Sequence, residues 1–394
     1  MQNNLNNEPL VSILIPYYND RDFLRASIES VLSQNYKNFE LFLLNHATTD
    51  DCREIAHSYT DPRIKHIDMK ENLGGGSGFL LQTMLDQSSG KYIKILSADD
   101  EFRDGGLSIL VNYMENNPNV DFAFGNVEYI DNKGEDLGVN HFTIREHFSV
   151  NNTSADCIGL LGRGIGFLPW AGAIIKADIL KTININKTYI YCFDINLWLA
   201  LFCKGYKAGY IEKLVANYRI HDLQASALGA LDKVVAFDWY EHKTYYKTFF
   251  LLQDIEIVKQ IWPESRFVDK LQDKKDIPFF IAHNLFIEQI FAGHSAEYID
   301  DLLNDDEGRK HLEEVFGYGI KEYREDIAKI TEKKKKSNKS SNIFKNYKNK
   351  IYSTPVKKLR IRDMAYLFIR RFLHNITLAD LRKKLFSKKK RYSL

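Results

Sequence analysis

Asp99 and Asp100 stand side by side at the end of Lys91-Tyr92-Ile93-Lys94-Ile95-Leu96, a run that reads as a strand closing on the apolar pair Ile95-Leu96. A buried strand of an α/β sheet delivers the residues after it to the carboxyl edge, where such sheets place their ligands. Two adjacent carboxylates repel each other unless a cation sits beside them. A hard divalent ion, Mg²⁺ or Mn²⁺, bridging to phosphate oxygens answers that need. The plainer alternative is a turn running into a helix N-terminus, where Asp suits the helix dipole.

The preceding chain supplies the elements that must position this pair. Leu10-Val11-Ser12-Ile13-Leu14-Ile15, ended by Pro16, predicts a first strand, and Tyr17-Tyr18-Asn19-Asp20 the loop after it. Asn19 or Asp20 can cap the next helix, in which Phe23, Leu24, Ile28, Val31 and Leu32 share one face. Phe39 to Leu44 predicts a second strand, leading into Asn45-His46-Ala47-Thr48-Thr49-Asp50, where Thr49 or Asp50 can start another helix. Arg63 to Ile67 predicts a short third strand. Asn72-Leu73-Gly74-Gly75-Gly76-Ser77-Gly78 opens a helix through Leu80 to Leu85, and its glycines match neither a phosphate-binding P-loop nor a clean dinucleotide fingerprint. Strand and helix in alternation, with polar residues at each strand end, is the doubly wound α/β pattern.

Taken together, Val11 to Asn19, Ser27 to Gln34, Phe39 to Asp50, Asn72-Leu73-Gly74 and Ser97-Ala98-Asp99-Asp100 resemble the family 2 glycosyltransferases in order and spacing. The resemblance covers roughly residues 8–228. It implies the GT-A fold, a Rossmann-like doubly wound mixed sheet, with a nucleotide-diphospho-sugar donor, a divalent metal and inversion at the anomeric carbon. Phe167 to Ile175, with Trp170, resembles the acceptor-side segment. Asp194-Ile195-Asn196-Leu197-Trp198 resembles the helix that begins with the catalytic carboxylate, and Tyr218-Arg219-Ile220-His221 the closing arginine-x-histidine motif.

Carried onto this chain, the resemblance makes Asp194 the base that takes the acceptor proton. It assigns Asp99, Asp100 and His221 to the metal and Trp170 to the acceptor. Donor contacts fall to Pro16, Tyr17, Tyr18, Asn19, Asn45, His46, Gly74, Ser97, Ala98, Asp99 and Arg219, the last as a clamp on a phosphate oxygen. Bland readings stand beside these. Asp194 also suits an N-cap, His221 a structural histidine, and Trp170, Tyr17 and Tyr18 simple packing. The chain departs from the family in two places. Asn45-His46 stands where an Asp pair is usual, an Asp there normally accepting from the uracil imide N–H, so UDP is favoured with GDP, dTDP and CMP left open. Ser97 replaces the first Asp of the usual D-x-D-D, leaving one charge fewer.

Composition bounds the rest. A chain of 394 residues has room for two domains and a tail, expected at 1–228, 229–332 and 333–394. Cys52, Cys157, Cys192 and Cys203 are scattered, which favours reduced thiols over a disulfide framework or zinc site. Met1 to Glu8 is polar, so no signal peptide is expected, and no apolar run approaches the ~18 residues of a membrane span.

Past Ser226 the resemblance fades. Val234 to Phe250, Ile255 to Ile261 and Ile277 to Phe291 read as helices of an extension with acceptor-binding or oligomerising potential. Residues 333–394 carry 15 Lys and 6 Arg against Asp363 and Asp380, so this +19 tail succeeds a body of net −17. Lys333 to Lys350 reads as a solvated linker, and Ile361 to Phe386 as a basic amphipathic helix. Residues 355–394 are thus expected to meet an anionic membrane surface, which would place the protein in the cytoplasm at the inner face of the cell membrane, near a glycan or lipid-linked acceptor. A nucleic-acid partner for the tail does not fit the acidic body or the absence of any nucleic-acid motif.

The expected activity is that of an inverting, metal-dependent glycosyltransferase of bacterial surface glycan synthesis: capsule, lipopolysaccharide or glycoprotein. The alternative is an inactive nucleotide-sugar-binding module acting through its helical region.

Overall fold

The computed structural model describes residues 8–73, 77–140, 154–162, 168–185, 187–189, 193–221, 241 and 246–338. Gly74, Cys192, most of the expected 234–250 helix and the whole 355–394 segment lie outside the described residues. The chain forms two compact units, residues 1–161 with 166–252, and 162–165 with 253–394.

The first unit is built on a mixed sheet. Its strands are β1 (Val11–Tyr17), β2 (Phe39–Asn45), β3 (Ile64–Asp68), β4 (Tyr92–Ile95), β5 (Glu101–Phe102), β6 (Phe122–Ile130), β7 (Asp136–Asn140), β8 (Ala173–Lys176) and β9 (Ala208–Arg219). Its helices are α1 (Leu24–Leu32), α2 (Cys52–His57), α3 (Ser77–Leu85), α4 (Gly106–Asn116), α5 (Ser154–Gly162), α6 (Ala177–Lys181) and α7 (Phe193–Cys203). The sheet order is β3-β2-β1-β4-β8-β6-β9-β5, with β7 on β6. β1 to β4 pair in parallel, β8 runs antiparallel to both β4 and β6, and β6 pairs in parallel with β9. This agrees with the expected doubly wound mixed α/β sheet.

The all-buried run of β2 and the nearly all-buried run of β1 result from their central places, where both faces are covered. α1 buries Leu24, Ile28 and Val31 in the same core as Ile13, Ile15 and Leu41. β8 can wedge against β6 because Gly172, just before it, has no side chain. A Cβ there would sit 2.4 Å from the Gly125 carbonyl oxygen. This closeness holds the 3₁₀ turn Trp170–Gly172 against β6.

The start of α1 differs in detail from the sequence expectation, and the helix Ile320–Asn338 continues through 333–338, the beginning of the expected linker. Neither Asn19 nor Asp20 caps α1 with its side chain; the helix starts at Leu24, and the Asp20 carbonyl accepts from the amides of Phe23 and Leu24.

The second unit is helical: α8 (Ile255–Ile261), α9 (Ile277–Ile287), α10 (Ala292–Asn304), α11 (Asp306–Phe316) and α12 (Ile320–Asn338). α9 ends before Phe291 because Gln289 and Phe291 take left-handed φ values of 61° and 51°. Buried Asp326 on α12 accepts from Arg266 at 2.7 Å and lies 3.2 Å from buried His283, tying α12 to α9. Among the described residues no helix is long and apolar enough to cross a membrane. Cys52, Cys157 and Cys203 are free thiols.

Candidate active site

The strand order reverses between β1 and β4: chain order runs outward from β1 to β2 and β3 on one side and jumps to β4 on the other. The crevice at such a switch point is where an open α/β sheet takes its ligand. Asp99 comes after β4 there. The antiparallel pairing of β5 with β9 sets Glu101 against Asn217, and two residues further along Asp99 meets Arg219. Asp99 Oδ2 lies 3.1 Å from His221 Nε2, a contact between residues 122 apart in sequence. The His221 ring packs on Phe23 at 4.5 Å.

The adjacent carboxylates part company. Asp99 keeps 22% of its side chain exposed, whereas Asp100 is buried, its Oδ1 accepting from the Arg219 amide at 3.0 Å. Burial, reinforced by the Asp99 charge, pushes the Asp100 carboxyl well above the ordinary range. Asp100 is therefore corrected from a second metal ligand to an inward-facing group.

Arg219 is corrected too. Its side chain is 3% exposed, with Nε donating to the Asp99 carbonyl at 2.9 Å, Nη1 to the Asp131 carbonyl at 2.8 Å and Nη2 paired with Glu101. The Phe23 ring covers the guanidinium at 5.0 Å. With these groups committed, Arg219 holds the corner that presents Asp99, and its fork is not free for a phosphate.

Beneath this corner lies Lys94, fully buried in β4. Its Nζ donates to the carbonyls of Ala171 at 2.6 Å, Trp170 at 2.8 Å and Ile95 at 3.0 Å. Burial pulls the ammonium down to about 7, opposed by the Asp100 carboxylate. Its signal in the sequence is a lysine inside an otherwise apolar strand.

Trp170, half-buried, stacks on Phe193 at 5.7 Å and 11° and leans on Trp198 at 4.6 Å. Asp194 comes directly after Phe193 in the first turn of α7, half-buried, its Oδ1 accepting from the Ile195 amide at 2.7 Å. These contacts join the Asp194 helix to the Asp99 corner indirectly, through Trp170 and Lys94.

On the other flank, the loops after β1 and β2 interlock. Pro16 pairs with Leu44 and Tyr17 with Asn45. Tyr17 is 2% exposed, and burial with the nearby Asp68 carboxylate drives its phenol up. Tyr17 therefore packs, while Tyr18 is 42% exposed beside the His46 ring, centroid to centroid 6.1 Å. Asn19, at φ 57°, accepts on Oδ1 from the Thr49 amide at 2.9 Å and Thr48 Oγ1 at 2.8 Å.

Asn45 has both ends of its amide in use: Oδ1 accepts from the Thr48 amide at 2.8 Å and Nδ2 donates to Asp68 at 3.0 Å. Asn45, expected at the base, is 4% exposed and braces β2 against β3. His46, 3% exposed, accepts on Nε2 from the Leu73 amide at 2.9 Å. Ser97 is half-buried, its carbonyl accepting from Ser27 Oγ at 3.3 Å, and Ala98 is 3% exposed.

Asp20 adds a second carboxylate near Asp99, accepting from the Tyr18 amide at 3.1 Å. Burial, with Asp99 nearby, pushes it up to about 6. Between about 4 and 6 the folded protein then holds a proton here that the unfolded chain has released, so this group's contribution to stability falls as pH rises through that window. Asp20→Asn should raise the melting temperature at pH 7 to 8, with the gain vanishing near pH 4. A melting series showing no gain at pH 7, or a gain independent of pH, removes the assignment.

Among the described residues no group of three or more His, Cys, Asp or Glu side chains is disposed to hold a metal ion by itself. Asp99 and His221 offer one carboxylate oxygen and one imidazole nitrogen. That donor set fits a divalent ion whose other positions go to diphosphate oxygens and water.

The profile of the family described as glycosyl transferase family 2 matches residues 12–183. The chain is similar to MJ1057 of Methanocaldococcus jannaschii, an uncharacterized glycosyltransferase, at 28% identity over 61% of this chain and 80% of that one. It is 32% identical to WfaP of Escherichia coli, a UDP-Glc:alpha-D-GlcNAc-diphosphoundecaprenol beta-1,3-glucosyltransferase, over 55% of this chain and 80% of that protein. Among solved structures, S. aureus TarS 1-349 in complex with UDP aligns at 14% identity with a TM-score of 0.44, covering 74% of this chain and 78% of that one. With WfaP matched at 32% identity over 80% of its length and the profile covering β2 to β8 and nearly all of β1, the chain belongs to glycosyltransferase family 2 and is a glycosyltransferase.

Proposed function

We propose that this glycosyltransferase moves a sugar, with inversion, from a nucleotide-diphospho-sugar to an acceptor hydroxyl in bacterial surface glycan synthesis. The observation that carries this reading is the Asp99–His221 contact at 3.1 Å, which joins the ends of β4 and β9 at the switch-point crevice. Asp99 and His221 would hold Mn²⁺ or Mg²⁺, which when bound neutralises the charge growing on the leaving diphosphate. UDP is the favoured nucleotide, and the E. coli relative named for UDP-Glc and a diphosphoundecaprenol acceptor supports both a uridine donor and a lipid-linked acceptor.

The protein's own part is positioning and proton transfer. Tyr18 offers an exposed aromatic face on which a base can stack. Asp194 takes the proton of the acceptor hydroxyl as its oxygen attacks the anomeric carbon. The bond from that carbon to the phosphate oxygen breaks, and its electron pair leaves with the nucleoside diphosphate. A single displacement of this kind inverts the centre. Arg219 and Lys94 hold the Asp99 corner and the Trp170 turn from behind.

A thermal-shift panel of nucleoside diphosphates and nucleotide sugars, with and without Mn²⁺, tests the donor. A ligand at a hundred times its Kd stabilises the fold by about 2.7 kcal/mol, so the right nucleotide stands apart from the rest. A flat panel rejects the donor assignment. A clear binder without donor hydrolysis in Mn²⁺ favours the inactive binding module.

A further inference from the structure

The position next to Tyr18 carries a hydrogen-bond donor whose identity the backbone dictates. A backbone N–H can only donate. Because the Leu73 amide donates to His46 Nε2 at 2.9 Å, that nitrogen must present its lone pair. The imidazole is then neutral with its proton on Nδ1, and no hydrogen-bond partner for Nδ1 is found among the described residues. Burial also lowers the His46 pKa, in keeping with a neutral ring.

The place of this N–H is set by the sheet. With a diphosphate at Asp99, after β4, a nucleoside running along the carboxyl edge past β1 would reach β2, where the Tyr18 and His46 rings meet edge to face. A pyrimidine stacked on Tyr18 has only its rim left to be read. Asn45, the neighbouring polar side chain on β2, is occupied by Thr48 and Asp68.

We infer that His46 reads the pyrimidine of the donor nucleotide as a hydrogen-bond donor, through a ring carbonyl, and does not accept the imide N–H. This rests on the nucleotide-sugar reading above. An N–H facing an N–H repels, whereas an N–H facing a carbonyl makes an ordinary bond. N3 of uracil is then unread, and masking it should cost little.

The test compares UDP with N3-methyl-UDP by calorimetry on the full chain, alongside ¹⁵N spectra of the histidines. In the wild type the two nucleotides should bind within about threefold of each other, since no hydrogen bond of order 1 kcal/mol is lost. The His46 spectrum should show a pyrrole-type Nδ1 and a pyridine-type Nε2, and the Nδ1 proton should shift with both nucleotides. His46→Asp restores an acceptor, so it should turn against N3-methyl-UDP by about tenfold or more.

A larger wild-type penalty for N3-methyl-UDP, the opposite tautomer, or an Nδ1 proton indifferent to UDP overturns the inference while the uridine donor stands. Failure of UDP to bind at all removes the uridine donor reading and this inference with it. The wild-type arms decide the matter even if His46→Asp does not fold.

Discussion

Asp194→Asn should bind the donor nucleotide as the wild type does and turn over about 10²- to 10⁴-fold more slowly, the usual worth of a general base. The substitution swaps one carboxylate oxygen for an amide of the same shape. Asp194 Oδ1 accepts from the Ile195 amide in the first turn of α7, and an Asn carbonyl can make the same contact. The helix start is thereby kept and the basic site lost, because an amide does not take a proton near neutral pH. Nucleotide affinity, melting temperature and product formation, measured on one preparation, separate the roles. Slowed turnover with the first two unchanged is the signature of the base. Unchanged turnover would leave Asp194 as a helix cap and move the proton transfer elsewhere.

Lys94→Met should destabilise the fold by about 3 kcal/mol, the order expected when buried carbonyls lose their donor at about 1–3 kcal/mol apiece. The ammonium is fully buried and serves three carbonyls, those of Ile95, Trp170 and Ala171, while facing Asp100. Methionine fills similar space but leaves those carbonyls without a donor and removes the amine that interacts with Asp100. Asp100→Asn made in the Lys94→Met background should cost less than in the wild type, giving a coupling of about 0.5–3 kcal/mol in urea unfolding. Strict additivity would mean that Lys94 acts on the carbonyls alone. Because two of those carbonyls belong to the Trp170 turn, the loss should also displace that turn, whose Trp170 stacks on Phe193 just before Asp194.

Much of this is legible in the sequence. The first and second strands declared themselves as apolar runs ending in polar residues, since a strand covered on both faces has no need of alternation, and the fourth as a run closing on Ile95-Leu96. The place of Asp99 at the carboxyl end of β4 came from that alone. The helical second unit was visible in part: Ile255–Ile261 emerged with the expected bounds, whereas α9 stopped short of Phe291 because two residues adopt left-handed backbone, which no hydrophobic period reveals. The place of β8 between β4 and β6 was not legible, since its pairings join Ile93 and Phe122 to Ile175 across long stretches of chain.

What the amino-acid order determined by itself was the alternation of strands and helices, and so which residues reach the carboxyl edge of the sheet. The tertiary structure decided what each of them does there. Neighbouring side chains at a strand end leave in different directions, and only packing says which one meets water. Asp99 stays at the crevice with His221 while Asp100 turns inward to the Arg219 amide. Arg219 and Asn45 carry the right groups for a ligand but have them occupied by partners brought from other strands. The proton on His46 was settled by one amide 27 residues away, because a hydrogen bond between distant segments exists only once the sheet has brought them together.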